Sequence, residues 1–334
     1  MAQRKGRHTV ILDQRPAIIE TAAAVGTKEG NGPLAQYFDY ITDDDIMEES
    51  SWEKAESMLQ KTAVQLALKK ARLAAYDVDM LFAGDLLNQC IGSTFGLRDF
   101  EIPMAGVFGA CSTMSLSLIM AALAVDSSAA RRAMAVTSSH FCTAERQFRF
   151  PLDYGGVRPP TAQWTVTGAG AAIVGDGDGP HIEAFTVGRA VDLDITDANN
   201  MGAAMAPAAA DTISRFLRDT ATSPDRYDMI LTGDLGRVGS QLLCSLLKKD
   251  GIDIERVHRD SGVMIFDPET QDVHAGGSGC GCVASVFCSY VIQRLREGSL
   301  KNILLCATGA LMSTTSSQQG QSIPGICHLL HITA

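Results

Sequence analysis

Cys111 is the residue whose type and position best suit covalent chemistry in this sequence. It lies in Gly-Ala-Cys-Ser (109–112), directly before a run of small and apolar residues that predicts a buried helix. Unpaired N–H groups and the dipole at a helix N-terminus favour the thiolate, which is the nucleophilic form of cysteine. A small buried residue in a tight turn is the alternative interpretation, and residue type alone favours it, because free cysteines are commonly part of a core.

Two parts of the chain are similar to each other. Residues 79–86 read DMLFAGDL and residues 228–235 read DMILTGDL; an amphipathic helix is predicted before each, over 52–73 and 208–217. Cys111 and Cys282 then open small-residue helices, and each lies 26 residues before a threonine of a following strand, at 133–139 and 304–310. The same order and equal spacing favour duplication over chance.

The alternation of strand, helix and strand predicts parallel sheets covered by helices, an α/β fold. We predict two similar halves, residues 1–178 and 179–334, because the Gly-Asp-Gly-Asp-Gly-Pro stretch at 175–180 breaks regular structure. The second half is expected to carry an insertion around 250–275, since its Gly-Asp turn lies farther from its cysteine than in the first half.

Two α/β halves with a cysteine at the start of a buried helix resemble the thiolase and ketoacyl-ACP synthase III superfamily. Longer segments resemble one branch, the stage V sporulation protein AD family: AGDLLNQ (83–89), TSSHFCTAERQFRFPLDYGG (137–156), MGAAMAPAAADTI (201–213), HAGGSGCGC (274–282) and SIPGICH (322–328). The resemblance implies a thiolase-like fold with α-β-α-β-α layers. It also implies a non-catalytic subunit of the spore dipicolinic acid transport machinery, which binds dipicolinate or its calcium chelate during sporulation.

Two positions that carry catalytic partners in condensing enzymes differ here. Such enzymes use His and Asn to move protons and to stabilise an oxyanion. The resemblance places the His position at Gly233 and the Asn position at Cys280. Glycine has no side chain and a thiol is a weak donor, so we expect no enzymatic turnover. The alternatives are an acyltransferase that uses Cys111 with a base such as His140, and a scaffold subunit with a vestigial pocket.

A planar dianion needs cationic or polar groups around it. The expected ligand-binding residues are Cys111, His140, Arg146, Asp260, Ser261 and Cys280. His140 follows a strand at the sheet edge where α/β proteins place ligands. Arg146 and Arg149 offer guanidinium groups, with an ordinary ion pair as the alternative. Asp260 and Ser261 are assigned by resemblance, although polar residues before a glycine are usually turn formers.

Composition narrows the partners and the location. The net charge of −10 disfavours binding to nucleic acid. The nine cysteines are read as thiols, and neither a metal site nor a cofactor is predicted. The apolar run at 116–125 is too short to cross a bilayer, and no signal peptide is predicted. We therefore expect a peripheral protein on the cytoplasmic face of the spore inner membrane, held by membrane subunits of the same complex, and a homodimer by resemblance.

Overall fold

The computed structural model describes residues 2–148 and 156–334, so Arg149 lies outside the described residues. The strands are β1 (Gln3–Lys5), β2 (Thr9–Ile11), β3 (Ala17–Val25), β4 (Tyr40–Ile41), β5 (Met80–Gly84), β6 (Met104–Gly106), β7 (Arg132–Ser139), β8 (Trp164–Thr165), β9 (Gly168–Gly175), β10 (His181–Thr186), β11 (Met229–Thr232), β12 (His258–Asp260), β13 (Gly277–Ser278), β14 (Asn302–Ala310) and β15 (Gly325–Thr333).

The helices lie between these strands, as the alternating pattern predicts. They are α1 (Thr27–Gly30), α2 (Trp52–Ala71), α3 (Ile91–Leu97), α4 (Thr113–Asp126), α5 (Phe141–Phe148), α6 (Met201–Thr220), α7 (Gly236–Lys249), α8 (Ser261–Met264), α9 (Cys280–Val286), α10 (Ile292–Arg296) and α11 (Thr314–Gln318). A π-helical turn, Phe287–Val291, joins α9 to α10. Helix α6 begins earlier than predicted because it continues through Pro207, although proline removes one backbone hydrogen bond.

The main strands form two sets with the same order. The first set runs β6-β5-β7-β9-β3 and the second runs β12-β11-β14-β15-β10. In each set the first three strands are parallel and the last two add antiparallel. The sets meet edge to edge where His181 of β10 pairs with Ala17 of β3. This shared topology confirms the predicted repeat, while the division at residue 178 stays a prediction.

Three hydrophobic clusters hold five layers together, and the central cluster lies on both sides of the middle helices. Helix α2 packs on the first set of strands through residues such as Leu59 and Val64. Helices α6 and α7 cover the second set, with Ile213 and Leu243 in that cluster. Helices α4 and α9 lie between the two sets, where α4 contacts strands of both. The result is the predicted order of helix, sheet, helix, sheet and helix.

The central helix α4 positions Cys111, which lies just before the N-terminus of this helix. Its sequence, TMSLSLIMAALAVD, has no charged face, and most of its side chains are buried. A helix that is apolar all round is stable only inside a protein or a membrane. In the described part of the chain, no helix combines the length and the apolar character that crossing a membrane requires.

Candidate functional site

Cys111 lies in the tight turn that leads into α4. Ala110 has a positive φ of 50°, and the Ser112 hydroxyl donates to the Gly109 carbonyl at 2.6 Å. Strand β14 presses against this turn at Gly309. A Cβ atom at Gly309 would lie 2.5 Å from the Gly109 carbonyl oxygen and 3.2 Å from the Cys111 nitrogen. Glycine is therefore required there for the two segments to approach.

Cys111 lines an internal cavity of about 30 Å³, which we call the chamber. This volume holds a water molecule or two but not an aromatic ring with two carboxylates. The lining residues come from both halves of the chain, which places the chamber between them. They are Leu86, Phe108, Ala110, Cys111, Ala144, Glu145, Phe148, Thr165, Met201, Ser278, Ala310 and Met312.

A second, larger cavity of about 510 Å³ adjoins the chamber, and we call it the vestibule. Four apolar side chains line both cavities and form what we call the gate: Leu86, Phe108, Phe148 and Met312. The rest of the vestibule is mostly polar and uncharged, lined by Leu87, Asn88, Gln89, Cys90, Gln147, Ser313 and Thr314. The arrangement offers a polar outer site, an apolar constriction and a small inner space that ends at Cys111.

A buried carboxyl group next to Cys111, that of Asp234, was not among the predicted site residues. Ser278 Oγ and the Gly279 N–H donate to its Oδ2 at 2.9 and 3.0 Å, and Thr308 Oγ1 donates to its Oδ1 at 2.8 Å. Burial raises the pKa of Asp234. The Gly-Asp pair that repeats in both halves could have identified this residue, but the pattern by itself indicates only a turn.

The surroundings of Cys111 favour the thiol over the thiolate. Burial is the first cause and the nearby Asp234 is the second, and together they hold the pKa of Cys111 well above its ordinary value. A nucleophilic cysteine needs the opposite, a cationic neighbour or solvent that stabilises the negative charge. The position at the start of α4 is therefore not enough to activate Cys111.

The positions of the two missing catalytic partners are also visible. At Gly233, a Cβ atom would lie 3.0 Å from the Thr308 nitrogen, so β14 leaves little room for any side chain. Cys280 is buried in the same cluster as Cys111, and its Sγ donates to the Ser138 carbonyl at 2.8 Å. Burial raises the pKa of Cys280. Neither position supplies a base.

His140 is not among the residues that line the chamber. Its Nε2 lies 2.8 Å from the Asp45 carbonyl and its Nδ1 accepts the Cys142 N–H at 3.1 Å, which fixes the neutral tautomer with the proton on Nε2. Burial lowers the pKa of His140. Both ring nitrogens form hydrogen bonds with backbone groups, so the structure supports a role for this side chain in positioning the loop before α5.

Arg146 lies on the outer face of α5. Its guanidinium pairs with Glu53 and stands 5.4 Å from the centre of the Trp52 ring, and half of the side chain is exposed. The structure thus shows the ion pair that was weighed as the alternative. It does not bring Arg146 to the chamber.

Asp260 and Ser261 hold the turn that carries Asp234. The Asp260 carboxylate accepts the N–H groups of Leu235 and Gly236, each at 2.9 Å, and burial raises its pKa to about 7. The Ser261 hydroxyl donates to the Thr232 carbonyl at 3.1 Å. Neither side chain lines the chamber or the vestibule. Their link to the site runs through the backbone.

A second buried carboxyl group, that of Glu56 on α2, secures α5 and so the gate residue Phe148. Its two oxygens lie 3.0 Å from Ser138 Oγ and 2.6 Å from Thr143 Oγ1. The Thr143 hydroxyl is also 3.0 Å from the His140 carbonyl, and one hydroxyl proton cannot serve both oxygens. A protonated Glu56 resolves this conflict by donating to Thr143. Burial raises the pKa of Glu56 to about 8.

Glu56 predicts a pH dependence of stability. Since its folded-state pKa lies above the ordinary 4.5, the folded protein binds the extra proton, and the free energy of unfolding should fall as the pH rises from about 5 to 8. Glu56→Gln should remove part of this fall and be the more stable protein at pH 8. Urea titrations across this range measure it, with the exposed Glu269→Gln as control. Parallel curves for wild type and Glu56→Gln would contradict the protonated state.

Comparison with solved structures defines the class of protein. The fold matches 3-oxoacyl-[acyl-carrier-protein] synthase III from Aquifex aeolicus, with a TM-score of 0.60, 13% identity, and coverage of 96% of this chain and 100% of that one. A tetronic acid condensing enzyme matches with a TM-score of 0.62 and 15% identity over 95% of this chain and all of its own. The molecule therefore has a thiolase-like fold of the synthase III type.

Sequence comparison then gives the family. The profile of stage V sporulation protein AD matches residues 6–333. The stage V sporulation protein AD of Bacillus subtilis (strain 168) is 46% identical over 324 residues, which are 97% of this chain and 96% of that protein. The chain belongs to the stage V sporulation protein AD family, as its motifs predicted.

Proposed function

We propose that this protein is a non-catalytic subunit of the spore dipicolinic acid transport machinery that binds dipicolinate as its calcium chelate. The observation that supports this most is the state of Cys111: it lies in the chamber that adjoins the polar vestibule, and burial together with the nearby Asp234 keeps it a thiol. Such a site can hold a small planar molecule and lacks the means to acylate itself. Membership of the stage V sporulation protein AD family supports a role in sporulation.

Charge favours the chelate over the free dianion. The described residues that line the chamber and the vestibule include no Lys or Arg. Glu145 brings a carboxylate to the chamber, and its Oε1 atom lies 4.0 Å from Nη1 of Arg158. A free dianion would lose hydration without gaining a cation, which is costly. Calcium cancels the two carboxylate charges, and amides such as those of Asn88 and Gln147 suit a neutral polar ligand.

Size favours the vestibule as the first binding site. The chamber, at about 30 Å³, is too small for the ring, whereas the vestibule, at about 510 Å³, accommodates it. Contact with Cys111 requires the Phe148 side chain to swing away from the gate.

Calorimetric titration tests this function. Calcium dipicolinate should bind, and dipicolinate in the presence of excess EDTA should bind at least tenfold more weakly. Thr314→Trp, which fills the vestibule, should weaken binding by tenfold or more; Thr315→Trp, one residue along α11 and outside the lining, should not. The proposal would be wrong if folded protein gave no heat of binding with the chelate at high micromolar concentration.

We also propose that the protein is a homodimer joined along strand β6, and that membrane subunits of the complex hold it at the inner membrane. β6 pairs with β5 on one side and has no second partner in the described part of the chain. All three of its residues are exposed, and so are the nearby Ile91 and Phe108. An exposed apolar strand edge is a ready template for pairing with another copy.

Light scattering after size exclusion measures this association. The wild type should have the mass of two chains, and Met104→Glu combined with Phe108→Glu should have the mass of one. Val187→Glu combined with Leu193→Glu, at two apolar residues exposed elsewhere, is the matched control and should remain dimeric. A monomeric wild type at micromolar concentration would contradict the dimer.

A further inference from the structure

A cavity of about 750 Å³, larger than the chamber and the vestibule, is an open groove on the outer face of the second half. It shares no residue with the chamber or the vestibule, so the proposed dipicolinate site leaves it without a role. One wall is a face of α6, another is the end of α7, and the third is the turn between β1 and β2. We call it the basic groove.

The charge of the groove is opposite to that of the chain. Its lining has five cations, Arg7, Arg189, Arg215, Arg218 and Lys249, against two carboxylates, Asp211 and Asp250, a net charge of +3 in a chain whose net charge is −10. Such a local reversal concentrates anions in a concave site, where field lines converge. A surface patch with the average composition of this chain would carry a negative net charge.

Two of the arginines are held in place by a shared acid. Asp211 accepts from Arg189 through both of its oxygens, at 3.0 and 3.2 Å, and from the Nε of Arg215 at 2.9 Å. A further nitrogen of Arg215, Nη1, lies 3.1 Å from the Nδ1 atom of His8. Each guanidinium has five N–H donors, and those not used in these contacts remain for a ligand. Asp211 thus preorganises Arg189, which is exposed, and Arg215, which is partly buried.

The rim supplies uncompensated charge. The side chains of Arg7, Arg218 and Lys249 form no ion pair within the described residues, and all three residues are exposed. Arginine forks match the oxygens of phosphate in pairs, and several cations around one concavity suit more than one phosphate. A single carboxylate would leave most of these donors unused.

We propose that the basic groove binds an anion that carries two or more phosphate groups. The anion is either a soluble polyphosphate compound or the headgroup of a lipid with two phosphates. In both cases Arg189 and Arg215, which Asp211 holds in place, contact one phosphate, and Arg218 and Lys249 contact the second.

Two binding assays at 150 mM salt distinguish these sources. One titrates tripolyphosphate into the full chain by calorimetry; the other measures sedimentation with vesicles of phosphatidylcholine that contain one fifth cardiolipin, against pure phosphatidylcholine. The groove variant combines Arg218→Glu with Lys249→Glu. The control combines Lys69→Glu with Lys301→Glu, exposed cations outside the groove, and so makes the same change in net charge.

The proposal expects binding in at least one assay, a loss of tenfold or more in the groove variant, and less than a twofold change in the control. Loss with tripolyphosphate identifies a soluble anion, and loss confined to cardiolipin vesicles identifies a lipid headgroup. Equal losses in the two variants would overturn the proposal, because they would mean nonspecific attraction. So would no binding at millimolar tripolyphosphate together with no binding to cardiolipin vesicles.

Discussion

Asp234→Ala should lower the free energy of unfolding by about 3 kcal/mol and make Cys111 more reactive. Three donors lose their acceptor; the hydroxyls of Ser278 and Thr308 can rotate, but the Gly279 N–H stays buried without a partner. Removing the carboxylate also removes one of the two causes that raise the pKa of Cys111. Urea unfolding measures the first effect. Peptide mapping after iodoacetamide treatment at pH 8 measures the second.

Asp178→Ala is the matched control, since Asp178 is an exposed carboxylate in the turn between β9 and β10. It should change stability by less than 0.5 kcal/mol, which is typical of surface substitutions, and leave Cys111 unchanged. If Asp234→Ala were as stable as wild type and Cys111 no more reactive, the carboxylate would not be organising the site.

Incubation of the wild type with an acyl-CoA should leave Cys111 unmodified, whereas a stable adduct would favour the acyltransferase alternative.

Gly309→Ala should destabilise the fold by about 3 kcal/mol and weaken ligand binding. The new methyl group would lie 2.5 Å from the Gly109 carbonyl oxygen and 3.0 Å from the Ser112 nitrogen. Both neighbours are backbone atoms that cannot rotate away, so the cost falls at the upper end of overpacking. The turn that carries Cys111 must shift, which moves Ala110 and Cys111 in the chamber wall. Thermal unfolding and chelate titration report the two effects.

Gly177→Ala is the control for this substitution. A Cβ atom there would have only Ile19 within 4 Å, at 3.7 Å. Alanine at such a position should be neutral or slightly stabilising, because it restricts the unfolded chain. Wild-type stability for Gly309→Ala would mean that β14 and the Cys111 turn are less tightly apposed than the structure shows.

The fold was largely predictable because short motifs recur in the same order in the two parts of the sequence. The strands predicted at 133–139 and 304–310 are β7 and β14, with one or two more residues at the start. The position of α4 and α9 between both sets of strands follows from the resemblance and not from the pattern of the residues. That arrangement depends on packing between residues far apart in the chain, which periodicity does not encode.

The site was harder to predict because residue type does not reveal partners. His140 has the position of a pocket residue, yet backbone groups at Asp45 and Cys142 occupy both ring nitrogens. Asp260 reaches the site only through the turn that it holds. The repeated Gly-Asp pair points to Asp234 as a notable residue. Its role beside Cys111 could not be predicted, because only the tertiary structure brings the two side chains together.

The most direct test of the central claim is a crystal structure of the protein with calcium dipicolinate. The account predicts the ring in the vestibule or across the gate, with the Phe148 side chain displaced and no covalent bond to Cys111. Ligand bound at a site that shares no residue with the vestibule or the chamber would contradict the account, and so would an acyl group attached to Cys111 after exposure to acyl-CoA.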